Sequence, residues 1–158
     1  MRARVSDTLV SRAIVVDAAW DTFEDTVRGL VERLVEAAVL PAAFADEAVR
    51  RIREREAIAS TAMVDIGVSI PHARLEGITG IVAALAASPR AVYEVADGLP
   101  ISIVALVLSS PALTGEHLTF LSAVSLLLQA ERVRQQLREA ASADEVLRVI
   151  RSNEAGRG

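Results

Sequence analysis

Residues 67–74 read GVSIPHAR, and the histidine in that stretch, His72, is one of only two in a chain of 158 residues. The other is His117, within GEHL at residues 115–118. An imidazole with an ordinary pKa of about 6.5 is neutral often enough at cellular pH to act as a nucleophile. Attack on a phosphoryl group gives a phosphohistidine, whose P–N bond is labile enough to pass the group onward. Such transfer goes through a loose, in-line transition state, so the protein mainly positions the group and neutralises charge on its equatorial oxygens. Arginine suits that task because its planar fork binds phosphate bidentately and stays charged. Arg74, two residues past His72, and Arg55 are the candidates. His117 falls in the first turn of a predicted helix, where free backbone N–H groups and the helix dipole favour an anion. If the two histidines meet, an anion fits between them.

Other readings of the same residues compete with this one. A lone histidine near a strand end is more often a hydrogen-bonded structural residue than a nucleophile. Zinc could be held by the two histidines only with carboxylates recruited from elsewhere, such as Asp65 or Glu116. GVSIP resembles a hydrolase nucleophile elbow superficially, but Pro71 stands where the second glycine belongs, and Ser69 reads as structural. Composition excludes more. There is no cysteine and no lysine, all 17 basic residues being arginine, so disulfides, thiolate nucleophiles, Schiff-base lysines and a Walker-type phosphate loop are ruled out. A net charge of -4, with one Trp, one Tyr and three Phe, argues against a nucleic-acid binder. The dense basic run Arg50-Arg51-Ile52-Arg53-Glu54-Arg55 reads as a solvated helix face.

Those residues need a scaffold, and the hydrophobic fraction of 52% predicts one folded domain over residues 1–158, with its core over residues 9–150. The longest apolar runs, residues 81–87 and 103–108, fall well short of the roughly 18 residues that span a bilayer. The apolar stretch at 13–16, after a basic start, is too short for a signal-peptide core. The expected location is the cytoplasm, with no membrane insertion. Phe23, Val27, Leu30, Val31, Leu34 and Val35 follow helical spacing and predict a helix over 22–39, capped by Asp21 or Thr22. A second helix over 44–56 follows Pro41, making a hairpin. Strands are predicted at 13–16, 78–86 and 101–109, and a shorter one at 66–70, ended by Pro71, because proline cannot donate to a ladder. The strand at 101–109, ISIVALVLS, lacks polar alternation, as expected when both faces are covered. A helix over 115–129 is predicted to turn Leu118, Leu121, Val124, Leu127 and Leu128 inward, with Thr114 as its cap. Another follows over 131–140, and Ser142-Ala143-Asp144-Glu145 forms a capping box opening a last helix through Ile150. The tail 153–158 is expected to fray. Helices at both ends and strands between them suggest an α/β sandwich, a mixed sheet flanked by helices on both faces.

The runs REAIASTAMVDIGVSIPHARLEGITGIVAAL (55–85) and GLPISIVALVLSSPALTGEHLTFLSAVSLLL (98–128) resemble the enzyme IIA domain of the fructose, mannitol and nitrogen-regulatory branch of the bacterial phosphoenolpyruvate-dependent phosphotransferase system. Its most specific parts are Arg55-Glu56 followed by Ser60-Thr61, then Gly67, Pro71, His72, Ala73 and Arg74, and His117-Leu118 opening a helix. The resemblance implies that His72 accepts a phosphoryl group from the histidine-containing phosphocarrier protein and passes it to an enzyme IIB or a regulatory target. It implies further that His117 is the second active-site histidine and Arg55 the arginine beside them, with Arg74, Thr61 and Ser60 at the phosphate or partner face, and no cofactor. The family fold is the same α/β sandwich. Two departures stand out: Ala62 follows the Ser-Thr pair where the family usually has glycine, and the segment 61–71 is one residue longer, in a loop expected beside the site. That altered loop motivates a second reading, a protein-binding regulatory module of the same fold. A chain standing alone, without fused IIB or IIC domains, favours a regulatory phosphocarrier or an independently encoded transport component.

Overall fold

The computed structural model describes residues 4–155. The strand with the least polar alternation, β8 (Ile103–Ser109), is buried at every position and sits inside the main sheet, ordered β1-β5-β8-β3-β2, with β4 also paired to β8. Here β1 is Leu9–Val16, β2 Ala62–Met63, β3 Val68–Ser69, β4 His72–Arg74 and β5 Ile81–Ala87. The sheet is mixed: β5 runs antiparallel to β8, β1 parallel to β5, and β3 and β4 parallel to β8. A separate antiparallel ribbon joins β6 (Tyr93–Val95) to β7 (Leu99–Ile101).

Because successive strand residues face opposite sides, β8 divides between two apolar layers. Val104, Leu106 and Leu108 pack with Val27, Leu30 and Leu34 of α2 (Phe23–Glu36) and Ile52 of α3 (Ala45–Ile58). Ile103, Ala105 and Val107 pack with Phe120 and Val124 of α4 (Thr114–Gln129), Leu137 of α5 (Glu131–Glu139) and Ile150 of α6 (Ala143–Ala155). A short helix, α1 (Val5–Thr8), completes the second layer. The α/β sandwich expected from the sequence is the observed architecture. Among the described residues no helix is long and apolar enough to cross a membrane.

The helical hairpin forms as its spacing predicts, with Thr22 Oγ1 accepting from the Asp25 N–H at 3.0 Å. Half of the capping box forms: Ser142 Oγ accepts from the Glu145 N–H at 3.1 Å, but Glu145 Oε2 reaches past the cap and accepts from the Ala141 N–H at 2.5 Å instead of that of Ser142. Arg50 and Arg51 pair with Glu47 on a solvated helix face.

Several boundaries differ from the sequence reading. The strand at 101–109 breaks at Ser102, where the Gly67 carbonyl accepts from the N–H groups of both Ser102 and Ile103 at 2.8 and 3.2 Å. The first strand starts earlier, at Leu9, and β5 starts later, at Ile81. Pro71 interrupts pairing without ending it. Its carbonyl accepts from the Val107 N–H at 3.0 Å, and the chain returns to the same edge of β8 as β4, so His72 lies within a strand. Thr114 is the first helical residue of α4, and the cap position falls on Leu113, with no side-chain cap. Leu118 is 59% exposed, while His117 and Phe120 take the inward positions. Asn153 to Ala155 do not fray as expected: α6 continues to Ala155, and Glu154 accepts from the N–H groups of Val5 and Ser6. Residues 156–158 lie outside the described residues.

Candidate functional site

The paired register His72↔Val107 and Arg74↔Ser109 places both β4 residues on one edge of β8. Being two apart, their side chains leave the strand on the same face. After Ser109 the chain turns through Ser110 and Pro111 into α4, whose first turn carries His117 back over this edge. The two imidazoles meet, their ring centroids 5.7 Å apart and their planes at 54°. His72 is half-buried and His117 is 5% exposed.

Each ring is held through Nδ1. His72 Nδ1 lies 2.8 Å from the Ile70 carbonyl oxygen. A carbonyl can only accept, so Nδ1 carries the hydrogen and Nε2 of the neutral ring has a free lone pair. Ile70 is positioned for this by Pro71, which restricts the preceding residue to extended conformations. His117 Nδ1 lies 2.6 Å from Ser109 Oγ, within the protein interior.

Both rings are held uncharged at neutral pH. Burial lowers the pKa of His72, the nearby Arg55 guanidinium adds to that, and the Ile70 hydrogen bond and the Glu56 carboxylate work against it. Burial, then Arg74, then His72 push His117 down to about 4. Two neutral histidines thus lie within electrostatic reach of two guanidiniums, Arg55 acting on His72 and Arg74 on His117.

Arg55 sits at the end of α3, where its Nη1 donates to the Ala59 carbonyl at 3.0 Å. Arg74 Nη1 donates to the Pro111 carbonyl at 3.2 Å. Each guanidinium is thus anchored by one nitrogen, and its fork keeps other donors. Ser60 and Thr61 are turned toward Glu56. The Glu56 carboxylate accepts from Ser60 Oγ at 3.1 Å, from the Thr61 N–H at 2.7 Å and from Thr61 Oγ1 at 2.9 Å. Glu56 therefore ties the loop after α3 to the helix end that carries Arg55, a role its place in the sequence motif did not reveal. Ser109 was missed as well, since a serine closing an apolar strand gives no signal of its own.

The segment 61–71, expected from the sequence to be lengthened, folds as a β2–β3 hairpin with Met63 paired to Val68 and Gly67 at φ +68. Its tip lies beside the start of β8, where Val68 pairs with Ile103, while His72 pairs with Val107. At about 3.3 Å per residue, these levels are roughly 13 Å apart along the strand. The expected placement of that loop beside the site is therefore corrected: its turn projects at the other end of β8. Asp65, weighed as a zinc ligand, is in that turn. Among the described residues no three His, Asp or Glu side chains gather into a group that could hold a metal ion.

Comparison with known proteins gives the geometry a context. The family described as "Phosphoenolpyruvate-dependent sugar phosphotransferase system, EIIA 2" matches residues 8–153. The chain is 33% identical over 128 residues to a PTS system fructose-specific EIIA component of Haloferax volcanii, covering 79% of this chain and 82% of that one. It is 34% identical over 104 residues, 65% of its length, to a fructose-specific EIIABC component of Bacillus subtilis, of which it spans only 16%. Among solved structures, nitrogen regulatory protein IIA-Ntr from Neisseria meningitidis superposes with a TM-score of 0.77 at 26% identity, over 92% of this chain and 98% of that one. The mannitol IIA of Escherichia coli, solved in complex with phosphorylated mannitol IIB, shares the fold at a TM-score of 0.71 and 20% identity, over 90% and 96% of the two chains. With its sheet, its paired histidines and this match over nearly its whole length, the chain belongs to the EIIA 2 family of the phosphoenolpyruvate-dependent sugar phosphotransferase system.

Proposed function

We propose that this chain is a protein-histidine phosphocarrier in which His72 Nε2 is the atom that carries the phosphoryl group. The observation that supports it most directly is the pinning of His72 Nδ1 to the Ile70 carbonyl, which leaves Nε2 as a lone pair, next to a neutral His117. In the transfer, the Nε2 lone pair of His72 attacks phosphorus, and the P–N bond to the donor histidine breaks with its electron pair returning to the donor imidazole. Passing the group on reverses the sequence toward the acceptor. Arg55 and Arg74 neutralise the equatorial oxygens, His117 donates to one of them, and Ser60 and Thr61 shape the rim. No metal or organic cofactor takes part.

The donor is the histidine-containing phosphocarrier protein, and the acceptor is an enzyme IIB or a regulatory target, all in the cytoplasm. Ile58, 82% exposed at the end of α3, and Leu118, 59% exposed beside His117, offer apolar contact on either side for such a protein partner. The whole chain acts as one domain in this reading. A second reading, a regulatory binding module with little phosphotransfer, is favoured by the hairpin tip, where Val64 is 40% exposed; as a switch it predicts a partner whose affinity differs between the phosphorylated and unphosphorylated forms, and equal affinities would leave it without a switch.

The test is incubation with phosphoenolpyruvate, enzyme I and the histidine-containing carrier, followed by intact mass and site mapping in alkali, which preserves phosphohistidine. One phosphoryl group on His72 is expected. No gain with cognate partners would overturn the carrier reading and leave the binding module.

A further inference from the structure

Ser109 closes β8 with no exposed surface. Its backbone carbonyl is engaged by the Leu75 N–H at 2.8 Å. Its hydroxyl has one hydrogen-bond partner among the described residues, His117 Nδ1 at 2.6 Å. A hydroxyl owns one hydrogen and can donate it or accept another; an imidazole nitrogen does one or the other according to tautomer. Were the ring hydrogen on Nδ1, the serine would have to accept it while its own hydrogen found no partner among the described residues, leaving a buried donor unpaired at a cost of about 1–3 kcal/mol. With the ring hydrogen on Nε2, every group is satisfied.

We propose that Ser109 is a positioning residue that fixes the tautomer of His117: its Oγ–H donates to Nδ1, so His117 carries its hydrogen on Nε2 and offers it to a phosphoryl oxygen held between the two rings. The two histidines then have opposite tautomers, each written by its partner. His72 is held by a carbonyl, which can only accept, and so presents a lone pair at Nε2. His117 is held by a hydroxyl with no other acceptor among the described residues, and so presents an N–H at Nε2. The reversed tautomer of His117 would set a lone pair against an anionic oxygen. Because burial and Arg74 keep the ring uncharged at neutral pH, its tautomer alone decides whether it attracts or repels the group. This inference rests on the phosphocarrier reading for its purpose, but the tautomer itself does not depend on that reading.

The experiment is nitrogen-15 NMR of the imidazoles in the full chain at pH 7.5, in the wild type, Ser109→Ala and Ser109→Thr. The wild type is expected to show His117 with its hydrogen on Nε2 and His72 with its hydrogen on Nδ1. In Ser109→Ala the His117 pattern should move toward the Nδ1–H form or a mixture while His72 stays as it was. Ser109→Thr, which keeps the hydroxyl, should restore the wild-type pattern. Phosphoryl acceptance in Ser109→Ala should slow by roughly 10- to 100-fold, by analogy with the loss when the partner that orients a metal-binding histidine is removed. A wild-type His117 with its hydrogen on Nδ1, or an unchanged His117 pattern in Ser109→Ala, overturns the inference. Because the NMR measurement needs no phosphoryl donor, a protein that never takes up phosphate refutes the carrier reading separately.

Discussion

Replacing His72 with glutamine is expected to abolish phosphoryl uptake from the histidine-containing carrier while leaving the fold intact. The loss should be complete because no second group can take over: the chain has no cysteine or lysine, and the only other imidazole, His117, is 5% exposed and fastened through Ser109. The fold should survive because His72 is half-buried and makes one hydrogen bond, to the Ile70 carbonyl. A glutamine amide can reach that acceptor, so the stability change should stay within about 1 kcal/mol. Intact mass after incubation with the full donor chain, alongside a denaturant titration, checks both halves. Undiminished labelling in the variant would remove His72 as the carrier, and label appearing on His117 would exchange the roles of the two rings.

The second large effect is on stability in acid. An unfolded histidine takes up its proton near pH 6.5, whereas His117 in the fold resists protonation until about pH 4. Between those values the unfolded chain binds more protons than the folded one, so stability rises with pH across the window and falls as pH drops through it. At pH 7 nothing is lost; by pH 4 the contribution of His117 alone amounts to a loss on the order of 3 kcal/mol. The lowered pKa of His72 adds in the same direction. Carboxylates also titrate in this range, so the measurement is a difference: denaturant midpoints from pH 7 to pH 4 for the wild type and for His117→Gln. The variant, lacking the titrating ring, should lose less stability on acidification. Parallel profiles would mean that His117 is not kept neutral by the fold.

Much of this was legible in the residues. The α2–α3 hairpin could be read because Val27, Leu30, Val31 and Leu34 repeat at helical spacing, Thr22 caps the first helix and Pro41 separates the two. The central strand could be read because IVALVLS has no polar alternation. The phase of α4 could not. Its sequence is apolar on nearly every side, so periodicity points Leu118 inward as readily as His117, and only the packing of Phe120 and Val124 against β8 settles which way the helix turns. Pro71 was read by a correct local rule, the missing N–H, but whether pairing resumes beyond it depends on β8, more than 30 residues later in the chain. The chemistry of the site was legible by type, as histidines and arginines in a chain poor in other reactive groups. Their meeting is tertiary. Ser109 left no trace at all, because the role proposed for it comes from the ring it touches, the one partner its hydroxyl has among the described residues.

The two layers of helices are divided by the sheet: β5 and β8 each send alternate residues into different cores, and β8 alone of the two is buried along its whole length. Such a strand cannot let go of one layer without exposing the other, so its amides should be among the last to exchange with solvent deuterium, and only through unfolding of the whole molecule. His72, Arg74 and Ser109 all hang on that strand or pair with it. His72 is therefore expected to sit in the most slowly breathing portion of the protein. On the proposed phosphocarrier reading, a phosphoryl group handed to it would meet a fixed target, and the adjustments that bring donor and acceptor together would fall to the approaching partner and to the exposed rim.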